Sequence, residues 1–583
     1  MYLYLCCFVF RIVNAFSVRT YFNADEYWQS LEVAHVAVFG YGHLTWEWDA
    51  AVRGFAHPAV FAALYTAARW LHVDTVPFLV WAPRVVQAAF AALADVSITR
   101  LARRCNGNRA RAWALFCTLA CWFNFFCAVR TLSSCIETAL SAAAAAMWPS
   151  QCIIERGDTN TEVYVATAAT HWQRSRTSRK KRVTQNGGAN SVAALSLAAA
   201  ACVIRPTAMT YWLPIFFLEA SRVGRSGSVD RTHGIVRLLS LPLPIASCAL
   251  SFTTVTDRLF YGRWEFTTIN FLKFNLLNDG SVHYGVHPWY WYLTQGLPSV
   301  ATVYLPLAAF ALFVQKCESA FPSLLALSCI IVGHSAVKHK EFRFMMPTLP
   351  FFLALSGVAL ASVANGTHAT SRFKRRYKGK TCIKKSRCAR WFCIACVLIT
   401  QIPPAIYLSL WHQFGSIAVM PILSNTVSSN LTHSGGILFL TPCHQMPFTT
   451  HVHNANVSLR FLECPPKMSR CDNGGSSDGD DASESERFFN DPGAWLITEY
   501  GVHEFDHTVC DVVVFKNPAG SLRDDALVPS HVVMFNDTFA RLGVKAWLKY
   551  WGYRHEFDLF HAHFEVDRDV QSRVWVFTRS KLS

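Results

Sequence analysis

Residues Tyr21 to Pro58 read YFNADEYWQSLEVAHVAVFGYGHLTWEWDAAVRGFAHP, directly after a first apolar segment. Two adjacent carboxylates, Asp25 and Glu26, stand near the start of this stretch, and aromatic side chains recur along it. Acidic side chains between hydrophobic segments are costly unless they face water or have a function. The stretch therefore predicts a polar, aromatic-rich loop at one face of a membrane protein.

The composition of the whole chain supports that prediction. Its 583 residues are 52% hydrophobic and only 16% charged, which is too apolar for a single soluble core. Apolar segments of about 15–20 residues recur along the first two thirds, close to the length that a helix needs to cross a bilayer. In a soluble protein the net charge of +16 would suggest nucleic acid, but here the basic residues gather between apolar segments without a recognition motif. We expect a polytopic membrane protein that does not bind nucleic acid.

The basic runs orient the predicted helices. Hydropathy predicts about eleven transmembrane helices within residues 1–410, beginning with a retained helix at about 2–18. The run from Arg372 to Arg390 has ten basic residues and no acid, which marks the cytosolic face. Counting crossings from there places three polar runs on the opposite face: the first loop (19–75), HPWYWY (287–292) and HKEFRF (339–344).

A polar region follows the last predicted helix, on the far side of the membrane. Residues 411–583 combine strand-like runs such as GGILFLTP and SHVVMFN with helical stretches, which predicts a small α/β domain. The acidic, low-complexity segment near 472–486 is typical of a disordered loop. One or two disulfides are expected among four cysteines, with the pairing left open: Cys443, Cys464, Cys471 and Cys510.

No metal site is predicted in this region. His444, His451 and His453 lack an acidic or thiolate partner at ligand spacing, so we expect them at the surface. The far-side loops contain neither a DxD-type metal motif nor a glycine loop that cradles phosphate. Three glycosylation sequons lie in the same domain: Asn430, Asn456 and Asn536.

The carboxylates of the opening stretch suit general-base chemistry. Asp25 or Glu26 would take a proton from an acceptor hydroxyl in a loop beside the membrane. The structural alternative is that Asp25 caps the helix predicted from Tyr27 onward, because the first turn of a helix favours negative charge. Arg53 and His57, which close the stretch, are expected to support the site.

The HKEFRF run is a dense polar cluster between two long apolar segments. His339, Lys340 and Arg343 suit recognition of a phosphate, since arginine supplies a forked donor and lysine a point charge. Glu341 would orient them. Alternatively, the cluster only anchors a helix end among lipid head groups.

Two further features have weaker signals. In HPWYWY, His287 and Trp289 are candidate contacts to a sugar or an isoprenoid chain, with an interfacial aromatic belt as the alternative. Arg205, directly before Pro206, is most simply part of a helix break, with a substrate-facing role as the alternative.

These motifs resemble those of the polytopic mannosyltransferases that use dolichyl-phosphate mannose in the endoplasmic reticulum and share the GT-C architecture. The stretch from NADEYWQ to FAHP and the HKEFRF run carry this wider resemblance. The DEYWQ core and the CHQMPF stretch are similar to the branch of glycosyltransferase family 22 that adds the third mannose of GPI anchors in α1,2 linkage. The resemblance implies a GT-C-type α-helical membrane protein with a C-terminal lumenal α/β domain, active on the lumenal face.

The resemblance also implies roles for the candidate residues. The donor is β-linked and the product α-linked, so the transfer inverts and needs a base opposite the leaving phosphate. The family places an acidic residue of the first lumenal loop there, which is Asp25 here, with Glu26 as second choice. His339, Lys340 and Arg343 would contact the donor phosphate. A phosphate leaves with little acid assistance, so we expect no cofactor and no metal.

The implied partners are a lipid-linked sugar donor, a GPI glycolipid acceptor and lipids of the endoplasmic reticulum membrane, with no obligate protein partner inferable. Alternatives within the same chemistry are an N-glycan α1,2- or α1,6-mannosyltransferase and the enzyme for the fourth GPI mannose. A lipid or sugar transporter, in which the ionisable residues relay a coupling ion, is the alternative from another class. A non-catalytic receptor would not require Asp25.

Overall fold

The computed structural model describes residues 1–148, 179–225, 240–277, 280–314, 321–364, 380–429, 436–466, 482–500, 528–565 and 571–579. Residues 372–379 of the basic run, the sequon at Asn430, and Cys471 and Cys510 lie outside the described residues. The chain divides into two compact units. The first unit is Met1–Ala15, Ala51–Ala59 and Arg84–Ile406, and the second is Phe16–Ala50, Val60–Pro83 and Tyr407–Ser583. The stretch from Tyr21 to Pro58 therefore contributes residues to both units.

The first unit is helical, as expected of apolar segments whose backbone groups must bond within the segment. Its longer described helices, some of which continue into the sequence of the second unit, are Tyr2–Ser17, Val76–Ala120, Ser133–Met147, Arg179–Ile204, Met209–Arg225, Pro242–Tyr261, Tyr304–Val314, Phe321–Ala336, Leu349–Ala364 and Lys380–Leu410. Shorter helices are Trp122–Cys127, Thr267–Leu272 and Leu297–Ala301. The helix predicted at about 2–18 coincides with Tyr2–Ser17.

Several of these segments are suited to a membrane. Within the described residues, three helical stretches are long and apolar enough to cross one: Val76–Ala120, Phe342–Ala364 and Cys388–Thr426. The pair Tyr292–Ala301 and Tyr304–Phe313, bent by 98°, adds a fourth if its halves form one span. The protein is therefore a helical membrane protein, and the number of about eleven crossings stays a prediction.

A buried ion pair joins the first helix to the rest of its unit. The side chains of Arg11 and Asp95 are fully buried, and Arg11 Nε and Nη2 each donate to an Asp95 carboxylate oxygen at 2.7 Å. Asn14 accepts a further bond from Arg11 Nη1 at 2.8 Å. This bidentate geometry offsets the cost of burying both charges and fixes the helix Tyr2–Ser17 to the helix Val76–Ala120.

The second unit contains a five-stranded mixed sheet. Its strands are β1 (Ile437–Leu440), β2 (Leu459–Phe461), β3 (His531–Phe535), β4 (Tyr553–Phe560) and β5 (Arg573–Arg579). The order is β2-β1-β3-β5-β4, with β1 parallel to β2 and β3, and β5 antiparallel to β3 and β4. The predicted runs GGILFLTP and SHVVMFN coincide with β1 and β3, where every residue of both strands is buried.

Short helices accompany the sheet and the first loop in this unit. They are Glu32–Phe39, Trp46–Asp49, Gly415–Ser429, Thr449–Val452, Glu484–Asn490, Pro492–Tyr500, Asn536–Phe539 and Val544–Tyr550, and the helix Ala56–Trp70 lies mostly here. Trp547, fully buried, packs with Leu438 of β1 and Val532 of β3 in the core of the unit.

One sequence expectation is wrong at its edge. The acidic loop was predicted to extend to about residue 486, but Ser483 and Glu486 form a reciprocal capping box that starts the helix Glu484–Asn490. The Ser483 hydroxyl accepts from the Glu486 N–H, and the Glu486 carboxylate accepts from the Ser483 N–H. This local hydrogen bonding stabilises a helix end within an acidic composition. Residues 467–481 lie outside the described residues.

Close helix packing yields a stability prediction at Gly357. A Cβ atom there would lie 2.5 Å from the backbone nitrogen of Ala114, which no relaxed structure tolerates. We expect Gly357→Ala to destabilise the protein by about 1–3 kcal/mol, because the helices must separate. The measurement is the thermal unfolding midpoint of the detergent-solubilised protein. The control is Gly333→Ala, whose Cβ would meet Thr210 at an ordinary 3.4 Å; equal midpoints for the two variants would contradict the prediction.

Candidate functional site

The two carboxylates of the first loop share one short turn in the second unit. Asp25 and Glu26 lie in the 3-10 helix Ala24–Glu26, and the Asn23 side chain caps this turn by accepting from the Asp25 N–H at 3.0 Å. Capping of this turn therefore comes from Asn23. The Asp25 side chain is partly exposed, whereas Glu26 is fully buried.

The first loop is anchored to the CHQMPF segment of the C-terminal region. The Tyr21 hydroxyl donates to the His444 carbonyl at 2.5 Å, and Trp28 Nε1 donates to the Met446 carbonyl at 2.8 Å. The Trp28 ring also contacts the rings of His444 and Phe448, with centroids 4.6 and 5.0 Å away. Two motifs that lie more than 400 residues apart in the chain thus form one structure.

Glu32 is the polar centre of this contact, although no motif in the sequence pointed to it. Its fully buried carboxylate accepts from the N–H groups of Phe448 and Thr450 at 3.1 and 3.2 Å, and from the Thr450 hydroxyl at 2.6 Å. Burial raises the pKa of Glu32 to about 7, although the hydrogen bonds from Thr450 oppose the shift. A single side chain therefore satisfies the backbone where the segment enters the helix Thr449–Val452.

The expectation of surface histidines in this region is wrong. His451 is only 2% exposed, and its ring contacts Tyr27. Burial, together with the neighbouring His43, lowers the pKa of His444 to about 3, although the charge of Asp25 opposes the shift. Because His444 is neutral, Asp25 has an uncharged imidazole among its neighbours.

The predicted disulfide is present between Cys443 and Cys464. It joins the CHQMPF segment to the chain that follows β2. Cys443, His444 and Cys464 lie close enough together to suggest a metal group, but the bond between the two sulfurs removes both thiolates as ligands.

The HKEFRF run forms a compact ionic cluster in the first unit. Arg343 Nε and Nη2 donate to the two Glu341 carboxylate oxygens at 2.6 and 2.7 Å, and His339 Nε2 lies 2.9 Å from one of them. Burial alone would raise the pKa of Glu341, but Arg343 and His339 outweigh it and hold that pKa well below its usual value. The ionised carboxylate therefore fixes the orientation of Arg343, as the sequence predicted for Glu341.

Lys340 serves a different purpose from its neighbours. It is 3% exposed, and its ammonium donates to the carbonyls of Val337 and His287 at 2.6 and 3.0 Å. Burial lowers the pKa of Lys340. Its observed bonds tie the HPWYWY run to the HKEFRF run, and its contact with a donor phosphate stays a prediction.

The HPWYWY run is held beside this cluster by its backbone. The His287 N–H donates to the Lys338 carbonyl at 3.0 Å, and the His287 ring stacks on Trp291 at 4.8 Å. The buried Tyr292 hydroxyl accepts from the Glu341 N–H at 3.3 Å. Trp289 is 67% exposed, so it is available to lipid or substrate.

The chain between Arg53 and His57 is bonded to a buried carboxylate, Asp257, to which no sequence motif pointed. Asp257 accepts from the Phe55 N–H at 2.8 Å and from the Thr267 hydroxyl at 2.6 Å. The Tyr261 hydroxyl donates to the Arg53 carbonyl at 2.7 Å. The segment that closes the opening stretch is therefore positioned by the helix Pro242–Tyr261. The available signal in the sequence was an acid, Asp257, three residues before the aromatic pair Phe260 and Tyr261.

The structure thus places the predicted residues in three groups. His339, Glu341 and Arg343 form the ionic cluster in the first unit, with Lys340 and His287 bonded beside them. Arg53 and His57, in the same unit, lie on the segment that is bonded to the helix Pro242–Tyr261. The third group, the turn that carries Asp25 and Glu26, belongs to the second unit.

Comparison with known proteins identifies similar chains. The model of the Alg9-like mannosyltransferase family matches residues 2–453. Mannosyltransferase APTG1 of Arabidopsis thaliana is 34% identical over 99% of this chain and 91% of its own length. GPI alpha-1,2-mannosyltransferase 3 of Xenopus laevis is 31% identical over 99% of this chain and 90% of its own. Among solved structures, ArnT from Cupriavidus metallidurans bound to undecaprenyl phosphate aligns with a TM-score of 0.49 at 12% identity, over 98% of this chain and 97% of its own.

The anchor between the first loop and CHQMPF yields a prediction at Glu32. Glu32→Ala leaves the N–H groups of Phe448 and Thr450 without their acceptor, so we expect a loss of about 1–3 kcal/mol in stability. Glu32→Gln keeps one oxygen acceptor and is expected to lose less. The measurement is the thermal unfolding midpoint at neutral pH, with the exposed Glu565→Ala as control. An unfolding midpoint of Glu32→Ala equal to that of Glu565→Ala would contradict this role of Glu32.

The raised pKa of Glu32 also predicts a pH dependence. The folded pKa of about 7 exceeds the ordinary 4.5, so protonation stabilises the folded state. That contribution is complete below the unfolded pKa and is lost as the pH rises through about 7. We expect the wild type to lose stability over this window relative to Glu32→Gln, measured as the difference in unfolding midpoint against pH. Parallel curves would contradict the assignment.

Proposed function

Because this chain belongs to the Alg9-like mannosyltransferase family, and is therefore a glycosyltransferase of the membrane, we propose that it adds the third mannose of the GPI-anchor precursor in α1,2 linkage. The observation that carries the choice of reaction is the near-full-length similarity to the GPI alpha-1,2-mannosyltransferase 3 of Xenopus laevis. The donor in this proposal is dolichyl-phosphate mannose, and the acceptor is a GPI glycolipid that already carries two mannoses. The proposed architecture is of GT-C type, with about eleven membrane crossings.

The proposed reaction is a single displacement with inversion. The acceptor hydroxyl oxygen attacks C1 of the donor mannose, the C1–O bond to phosphate breaks, and its electron pair remains on the phosphate oxygen. The acceptor proton passes to a carboxylate acting as general base. The products are the α-linked mannoside and dolichyl phosphate, so no oxidant, reductant or metal enters the balance.

We assign the base to Asp25, with Glu26 as the alternative. The difference in burial supports this choice, because Asp25 is partly exposed and Glu26 is fully buried. A general base must come within hydrogen-bonding distance of the hydroxyl that it deprotonates, and a fully enclosed carboxylate cannot do so without movement.

We propose that the donor phosphate binds at the ionic cluster of His339, Glu341 and Arg343. The bidentate pair with Glu341 fixes the Arg343 guanidinium before any ligand binds, which supports electrostatic stabilisation of a leaving phosphate. Lys340 contributes mainly by holding His287 beside this cluster. Trp289, Arg53 and His57 are proposed to shape the surroundings of the substrates.

Complementation tests the substrate. The chain is expressed in cells that lack the third GPI mannosyltransferase, and the return of GPI-anchored proteins to the cell surface is the expected result. Cells that lack the fourth GPI mannosyltransferase, and cells defective in N-glycan mannosylation, serve as comparison hosts. Rescue of a comparison host without rescue of the first would replace the proposal with the corresponding alternative. A transporter would accumulate no mannosylated product in any host.

The base assignment predicts the behaviour of Asp25→Asn. This substitution keeps the size of the side chain and removes its basicity, so we expect mannosyl transfer to fall by at least about 100-fold. The measurement is formation of the three-mannose intermediate in microsomes that contain equal amounts of each variant. Glu26→Gln is the matched comparison. Normal product formation by Asp25→Asn, with loss of product in Glu26→Gln, would move the base to Glu26.

We also propose that the second unit faces the lumen of the endoplasmic reticulum, which predicts selective glycosylation. Asn456 lies in an exposed turn, whereas Asn536 accepts from the Arg573 N–H at 2.9 Å and the Thr538 of its sequon is fully buried. We expect Asn456→Gln to lose one endoglycosidase-sensitive glycan and Asn536→Gln to lose none, as measured by electrophoretic mobility. Unchanged mobility of Asn456→Gln would contradict the lumenal placement.

A further inference from the structure

Arg205 is held at a break between two helices of the first unit. Its backbone is extended (φ −150°, ψ 113°), directly before Pro206, which begins the next helical segment. A residue before proline is disfavoured in the helical region, so the helix Arg179–Ile204 ends here. The side chain of Arg205 thus projects from a helix end and is 14% exposed.

The guanidinium of Arg205 lies against the HKEFRF run. Its Cζ is 4.8 Å from the centroid of the Phe344 ring, and the Cζ of Arg343 is 5.3 Å from the same centroid. The His339 ring contacts this ring as well, at 5.7 Å. Phe344 is therefore a common platform for two guanidinium groups and an imidazole.

Glu137, a carboxylate that faces Arg205, is held less closely than the carboxylate that orients Arg343. Glu137 Oε2 lies 3.7 Å from Arg205 Nε, which exceeds hydrogen-bond length, and this buried oxygen has no hydrogen-bond partner among the described residues. In contrast, Glu341 holds Arg343 with two bonds of 2.6 and 2.7 Å. The loose pairing compensates the charge of Arg205 without directing its N–H groups at Glu137.

We propose that Arg205 is a second phosphate-binding residue, which acts with Arg343 on the phosphate of the lipid-linked donor. This inference rests on the proposed function and adds a residue that lies more than 130 positions before the HKEFRF run in the chain. Its chemical basis is the charge change during transfer. The donor phosphodiester carries one negative charge, and the leaving phosphate monoester carries up to two. A second guanidinium therefore stabilises the product phosphate and the transition state more than it stabilises the bound donor.

The alternative is that Arg205 only neutralises the buried Glu137. The two roles separate in the double variant Glu137→Gln/Arg205→Gln, which replaces the pair by two neutral side chains of similar size. Removing both partners of a buried pair is often close to neutral for stability, whereas removing one leaves an uncompensated charge. If Arg205 only neutralised Glu137, the double variant would regain the mannosyl transfer that Arg205→Gln loses.

The experiment uses the full-length protein in microsomes or detergent, and measures mannosyl transfer and its inhibition by dolichyl phosphate. We expect Arg205→Gln and the double variant both to reduce kcat by about 10–100-fold and to raise the inhibition constant of dolichyl phosphate about tenfold. Arg205→Lys keeps the charge but loses the forked guanidinium donor. We expect its kcat and its inhibition constant for dolichyl phosphate to lie between those of these variants and those of the wild type. The control is Arg263→Gln, whose side chain is 63% exposed and pairs with Glu265.

Either of two results would overturn the proposal. One is a double variant with kcat and dolichyl phosphate inhibition within about threefold of the wild type, since that result assigns Arg205 to charge neutralisation. The other is an unchanged inhibition constant in both variants despite lost transfer. If Arg205→Gln alone fails to fold, the double variant distinguishes phosphate binding from neutralisation of Glu137. Failure of the GPI assignment is distinguishable, because competition by dolichyl phosphate is measured with whichever acceptor the wild type uses.

Discussion

A charge buried among apolar groups is stable only with a compensating partner, and this constraint determines much of the structure of this chain. Arg11 and Asp95 meet the constraint completely, since both are fully buried and share two hydrogen bonds of 2.7 Å. Glu32 meets it with two backbone N–H groups and a hydroxyl. Such arrangements hold helices and loops in place, and their charged groups are fully buried, so a substrate cannot contact them.

The ionic cluster of the HKEFRF run satisfies the same constraint differently. Glu341 binds Arg343 in a bidentate pair and also contacts His339, so a single carboxylate orients the two side chains that we propose bind phosphate. The desolvated Lys340, by contrast, gives its ammonium to backbone carbonyls and stabilises the loop. Adjacent residues of one motif therefore have different structural roles, because each side chain donates to a different acceptor.

The first loop depends on the C-terminal region in the same physical sense. A loop rich in aromatic residues lowers its free energy by burying them, and CHQMPF supplies both the ring contacts around Trp28 and the backbone groups that need Glu32. The disulfide between Cys443 and Cys464 holds that segment beside β2. Positioning of Asp25 is thus a property of the whole second unit, although its turn is local.

The amino-acid sequence by itself determined the helical membrane class, the family resemblance, the first helix, two strands and the importance of the HKEFRF run, because hydropathy, period and local motifs are encoded in neighbouring residues. Only the tertiary structure decided which buried groups pair. It placed Glu32 against Thr450, joined Cys443 to Cys464, buried His451 and brought Arg205 to Phe344. These contacts join residues that are not neighbours in the chain: the His451 ring contacts Tyr27, and the two bonded cysteines are 21 positions apart. Their energy depends on distance and desolvation, so no local pattern of residues specifies them.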